Sequence, residues 1–196
     1  MRSPPLPPDA LVALLADVSV VERPTVFLAA ANHNARRVWL ADGSAAVFLR
    51  MVEVLDARDP DYRLRLELDA VPLLAAAPLA EAVLVHTTLT ARWPGPDPFR
   101  RRLLDRVAAV VEVRQGVEAE RWSAEEGRLL LILLDLRRPP LVHFAALQED
   151  LKARDAVVPD PASLTALAAR VAQHAPVASA RLGGTLRWLV VLLESP

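Results

Sequence analysis

Histidine is the side chain best suited to moving a proton near neutral pH, and this chain sets one between two amides at Asn32-His33-Asn34. Flanking amides can orient an imidazole, so the triplet is the first candidate for a polar or catalytic site. It lies in AANHNARR, residues 30–37, between two apolar runs. Asn and His also tolerate the left-handed backbone of tight connections, which gives the triplet an ordinary use as the solvated tip of a turn. No nucleophile, second histidine or acid is tied to His33 by a known spacing, so the turn is the stronger reading. An enzyme with an unrecognised site around His33 or His86 stays as the third functional reading.

The remaining titratable and nucleophilic residues do not assemble in sequence. His33, His86, His143 and His174 form no HxH, HExxH or HxxxH pair, so no metal centre is expected. With no cysteine there is no thiolate site and no disulfide. No serine stands in a G-x-S-x-G elbow: Ser44 and Ser123 fall in expected turns, and Ser163 in the first turn of a helix. Six glycines include no phosphate-binding pattern, and Gly183-Gly184 reads as the turn into a final strand. Asp56, Asp59 and Asp61 alternate with Arg58 without the spacing of a calcium loop. No cofactor is expected.

One local patch could bind a polyanion. Arg92, Trp93, Phe99, Arg100, Arg101, Arg102 and Arg106 gather around an expected strand end and helix start. Arginines contact phosphates and an exposed aromatic can stack a base, so nucleic acid is the alternative partner. Against it, cations in a first helical turn oppose the helix dipole, and three consecutive arginines spread around the helix. A net charge of −1 supplies no global basic field. The chain holds 22 arginines against the single Lys152, a bias of the kind a GC-rich bacterial genome produces, so arginine abundance alone says little.

Apolar excess is the broader signal. Hydrophobic residues make up 53% of the chain and mean hydropathy is +0.25, high for a monomer with one core. Trp39, Trp122 and Trp188 all fall on expected strands. Trp122 shares a face with Glu118 and Glu120, which would expose it. These three tryptophans are therefore the candidate protein interface, because a large apolar patch on an open sheet usually marks one.

The elements that would position these residues read as an α+β fold. MRSPPLPP, residues 1–8, is an expected flexible proline-rich arm. Residues 9–70 read as a helix begun at Asp9 followed by an antiparallel meander of about four strands. TVFLAAA, ARRVWL, AAVFLRMVEVL and the alternating YRLRLELDA supply the strands, and Asp42-Gly43 a hairpin turn. Residues 71–82 form the connector, a short helix interrupted at Pro78. Residues 83–196 read as β-α-β-β-α-(α)-β, the order of a ferredoxin-like sandwich, either separate from the meander or sharing one continuous sheet with it. The strands are VLVHTTLTARW, two runs around Ser123–Gly127, and TLRWLVVLL. Helices begin at Asp97-Pro98 and Asp160-Pro161, each a capping residue before a proline.

The sequence thus predicts a non-catalytic interaction protein, an adaptor or chaperone-like subunit that pairs with itself or another protein through an apolar sheet face. No apolar run reaches the roughly 20 residues that span a bilayer. With no secretory signal in MRSPPLPPD, the expected location is the cytoplasm and no membrane partner is expected.

Overall fold

Two proline-led starts organise the second half as the sequence predicts. In the computed structural model, which describes residues 45, 48, 49, 52, 70–95, 97–135, 151–154 and 156–194, both open helices. Asp97 accepts the Arg100 N–H at 2.9 Å, and Asp160 accepts the Ser163 N–H at 3.0 Å. Each carboxylate satisfies one of the donors that a helix start leaves unpaired. Pro98 and Pro161 then occupy first-turn positions where a missing N–H costs nothing.

The labelled helices are α1 (Leu79–Arg92), α2 (Pro98–Glu118), α3 (Ala124–Asp135), α4 (Pro161–His174) and α5 (Pro176–Glu194). Residues 70–76 are also helical, and Pro78 separates them from α1, as expected of the connector. Helix covers 84% of the described residues, and none of them lies in a strand. The α+β reading and its ferredoxin-like sandwich are therefore overturned, and with them the open sheet face.

The reasons are local. VLVHTTLTAR is rich in β-branched residues, yet the helix that contains it, α1, buries Ala82, Val85 and Leu89 at helical spacing. Thr87 and Thr90 turn their hydroxyls back to the carbonyls of Val83 and His86 at 3.1 and 2.8 Å, which satisfies them within the helix. LLLILL is too short and too uniformly apolar for periodicity to tell strand from helix, and tertiary burial makes it the C-terminal half of α3. Gly183 and Gly184 do not turn the chain; both lie inside α5.

AAVFLRMVEVL is corrected in the same way. Its described positions Ala45, Phe48, Leu49 and Val52 are helical, and Ala45, Phe48 and Val52 are buried along one side. The rest of the meander, the proline-rich arm and the helix at Asp9 lie outside the described residues. Residues 151–153 are helical, with Leu151 buried.

The chain divides into two compact units, Met1–Leu103 and Leu104–Pro196. In the first, Phe48, Leu73, Leu74, Val85, Leu89, Phe99 and Leu103 are buried. The Glu81 carboxylate also accepts the backbone N–H of Ala45. In the second, α4 and α5 form a hairpin joined through Ala175 alone. Ala175 closes α4 with its N–H on the Val171 carbonyl at 2.8 Å, and Pro176 begins α5. Leu164, Leu167 and Val171 of α4 and Ala178, Leu182, Leu186 and Leu189 of α5 are buried. Ala175 has no side-chain oxygen to cap α5, and Glu112 of α2 supplies one, accepting the Ala178 N–H at 2.9 Å.

Candidate functional site

Trp122 is the first sequence candidate, and the structure places it inside the second unit. It is 2% exposed, not part of an open face. Its indole N–H donates to the Val113 carbonyl at 2.9 Å, satisfying the one polar atom that burial would strand. A Cβ on Gly116 would fall 1.8 Å from the ring, and one on Gly127 would fall 2.3 Å from Val117. The indole therefore fills a slot that only glycine leaves open between α2 and α3.

The backbone around it is a tight corner. Arg121 N–H bonds to the Gly116 carbonyl at 2.8 Å and Glu120 N–H to the Val117 carbonyl at 3.1 Å, the two bonds of a Schellman ending. Glu120 carries the left-handed φ of 55° that this ending requires. Ser123 and Glu126 then cap α3 reciprocally, at 3.1 Å from the Glu126 N–H and 2.8 Å from the Ser123 N–H. That is a capping box, Ser-Ala-Glu-Glu before an apolar run, at the place where the sequence predicts a hairpin turn. Arg170 of α4 braces the corner, with one nitrogen 2.5 Å from Glu126 and the other 3.2 Å from the Arg121 carbonyl.

Of the other interface candidates, Trp188 is half-buried on α5, and Trp39 lies outside the described residues. The side of α5 turned away from its buried stripe is apolar and small. Ala180 and Gly184 are exposed there, and Val191 is 60% exposed. Nothing lies within 4 Å of where a Cβ on Gly184 would stand. Arg187 and Glu194 are exposed at one edge of this face, about 20° apart around the helix. Neither forms an ion pair with a described residue. Sequence reading missed this face because it broke the helix at the glycines; the 178, 182, 186, 189 spacing was the signal for it.

The basic–aromatic group lies at the α1–α2 turn and the start of α2. Arg100 stacks over Trp93 with its guanidinium carbon 5.3 Å from the ring centroid, so one indole face is covered by the chain's own cation. Phe99 is buried, which removes it from any base-stacking role. Arg92, Arg101 and Arg102 are exposed. Arg106 donates to the Leu134 carbonyl at 3.3 Å, near the carbonyl-rich end of α3.

Asn32, His33 and Asn34 lie outside the described residues, as does His143. His86 is half-buried on α1, and His174 is exposed in the last turn of α4. Among the described residues no three His, Asp or Glu side chains gather as a metal site would need. No described helix is long and apolar enough to cross a membrane. No protein-family model, curated protein or solved structure matches the chain.

Proposed function

We propose that this chain is a non-catalytic helical interaction protein, an adaptor or chaperone-like subunit of the cytoplasm, that self-associates through the outer face of α5. The observation that carries the reading is Val191, 60% exposed on the same helix face as the open Gly184 and Ala180. Burying a valine side chain is worth roughly 1.5–3 kcal/mol, so a helix that leaves one in water beside small residues gains by covering it. The sequence predicts a sheet interface; the same apolar excess is here carried by a helix. Size-exclusion chromatography with light scattering tests it. At high micromolar concentration the expected mass is twice the 21.4 kDa of one chain. A strict monomer overturns the reading.

Arg92, Arg101 and Arg102, all exposed around the α1–α2 turn, support nucleic acid as the second reading. Fluorescence anisotropy with single-stranded and duplex oligonucleotides should then show binding that weakens steeply with salt. Replacing Arg101 with Ala should reduce the log–log salt slope by about 1, the signature of one lost phosphate contact. No binding at low salt overturns this second reading.

A further inference from the structure

The charges at the edge of α5 select the geometry of self-association. Arg187 and Glu194 are two turns apart, about 10 Å along the axis, and lie on the same side of the outer face. They are opposite in sign and exposed, with no described ion-pair partner. A parallel, in-register copy would carry this edge to the opposite side of the interface and leave Arg187 and Glu194 of each chain away from their copies. An antiparallel copy reverses the order and sets each charge against its opposite. The two-fold operator then makes both pairs at once, because a contact from one residue to another in an isologous interface is always repeated in reverse.

We propose that two copies pair α5 against α5 antiparallel, about a two-fold axis beside Val191, with Arg187 of each chain facing Glu194 of the second copy. This arrangement rests on the reading of α5 as the self-association face. Val191 then meets its own symmetry copy at the axis, and its apolar surface leaves water. The Arg187–Glu194 pairs flank it at one edge and Trp188 lies toward the other. Ala180 and Gly184 lie outside the overlap, which covers about two turns of each helix. An overlap this short belongs with weak, transient interfaces, so the dimer forms at micromolar concentrations and above.

The chain has no cysteine, so a single introduced thiol is a clean probe of the pairing. Under mild oxidation Val191→Cys should give a disulfide-linked dimer, since a residue beside a two-fold axis approaches its own copy. Ala180→Cys should give none, because antiparallel pairing carries the two positions apart beyond the reach of a disulfide. Cross-linking of both variants would mean parallel pairing and would overturn the arrangement while leaving α5 as the interface. Cross-linking of neither, with the wild-type chain still dimeric, overturns α5 as the face; a monomeric wild-type chain overturns the reading beneath it.

Charge reversal supplies the independent arm. Arg187→Glu should weaken dimerisation about tenfold or more, by setting like charges together twice. Adding Glu194→Arg to that variant should restore it. Both positions are exposed, and circular dichroism checks that the variants keep their helix. A double variant no tighter than the single one overturns the pairing.

Discussion

Two pairs of glycines divide the second unit into regions built on opposite terms. At Gly116 and Gly127 an added methyl would run into Trp122 and Val117. At Gly183 and Gly184, inside α5, it would meet nothing within 4 Å. Glycine is costly in a helix interior because it surrenders the most backbone freedom on folding. At the α2–α3 corner that cost is repaid by a buried indole with a satisfied N–H. In α5 nothing among the described residues repays it. The corner is a place where sequence is consumed by packing, and the outer side of α5 is one where the internal packing makes no demand.

The sharpest way to break this contrast is to remove what the first pair serves. Trp122→Ala should cost about 3–5 kcal/mol, the range for emptying a buried aromatic site. Urea unfolding followed by far-UV circular dichroism measures it. A cost under about 1 kcal/mol would mean that the indole does not organise the corner. Gly116→Ala comes next, with an expected loss of about 2 kcal/mol as the ring is forced from its slot. Combined with Trp122→Ala it should cost far less than alone, since the methyl then enters an emptied space. Additive losses would separate Gly116 from Trp122 and undo that half of the comparison.

The second pair should answer with the opposite sign. Gly183→Ala is expected to stabilise the chain by about 0.5–1 kcal/mol, the gain of alanine over glycine in an open helix interior. The same unfolding experiment reads it. Destabilisation would show that something does demand glycine at this turn of α5. Gly183 lies one turn before Arg187, outside the two turns proposed to meet a second copy, so its substitution should leave self-association unchanged.

What could be read from the sequence follows the same division between local and tertiary causes. Asp97-Pro98 and Asp160-Pro161 were legible because a cap and a proline act within four residues, and both open helices where expected. The Pro78 break was legible for the same reason. Ser123-Ala-Glu-Glu was equally local but was passed over, because an apolar run after it suggested the second arm of a hairpin. VLVHTTLTAR and TLRWLVVLL went wrong for a different reason. β-Branched residues carry a modest strand preference, of order 1 kcal/mol across the whole scale, and burial of one helical stripe outweighs it. Glu112 capping α5 across 66 positions was beyond any local signal. Trp122 lay beyond it as well: its alternation with Glu118 and Glu120 has meaning only in a strand.

The smallest effect comes from the cap that the sequence did reveal. Asp160 is fully exposed, and its carboxylate accepts from the Ser163 hydroxyl at 2.7 Å as well as from the Ser163 N–H. Those bonds favour the charged form and hold its pKa below the ordinary value of 3.8, the hydroxyl bond being the largest cause. A carboxylate depressed in the folded state stabilises the fold above its unfolded pKa, and that contribution disappears as pH falls through the folded value. Unfolding curves from about pH 5 to about pH 2 should therefore show a loss that Asp160→Asn lessens, because an amide caps the helix without titrating. The Gly183→Ala gain involves no titrating group, so it should raise the whole stability curve and leave its pH dependence as it was. If the glycine variant changed the slope as well, the start of α4 and the middle of α5 would be coupled, and the outer side of α5 would not be as free of internal demands as its open glycines imply.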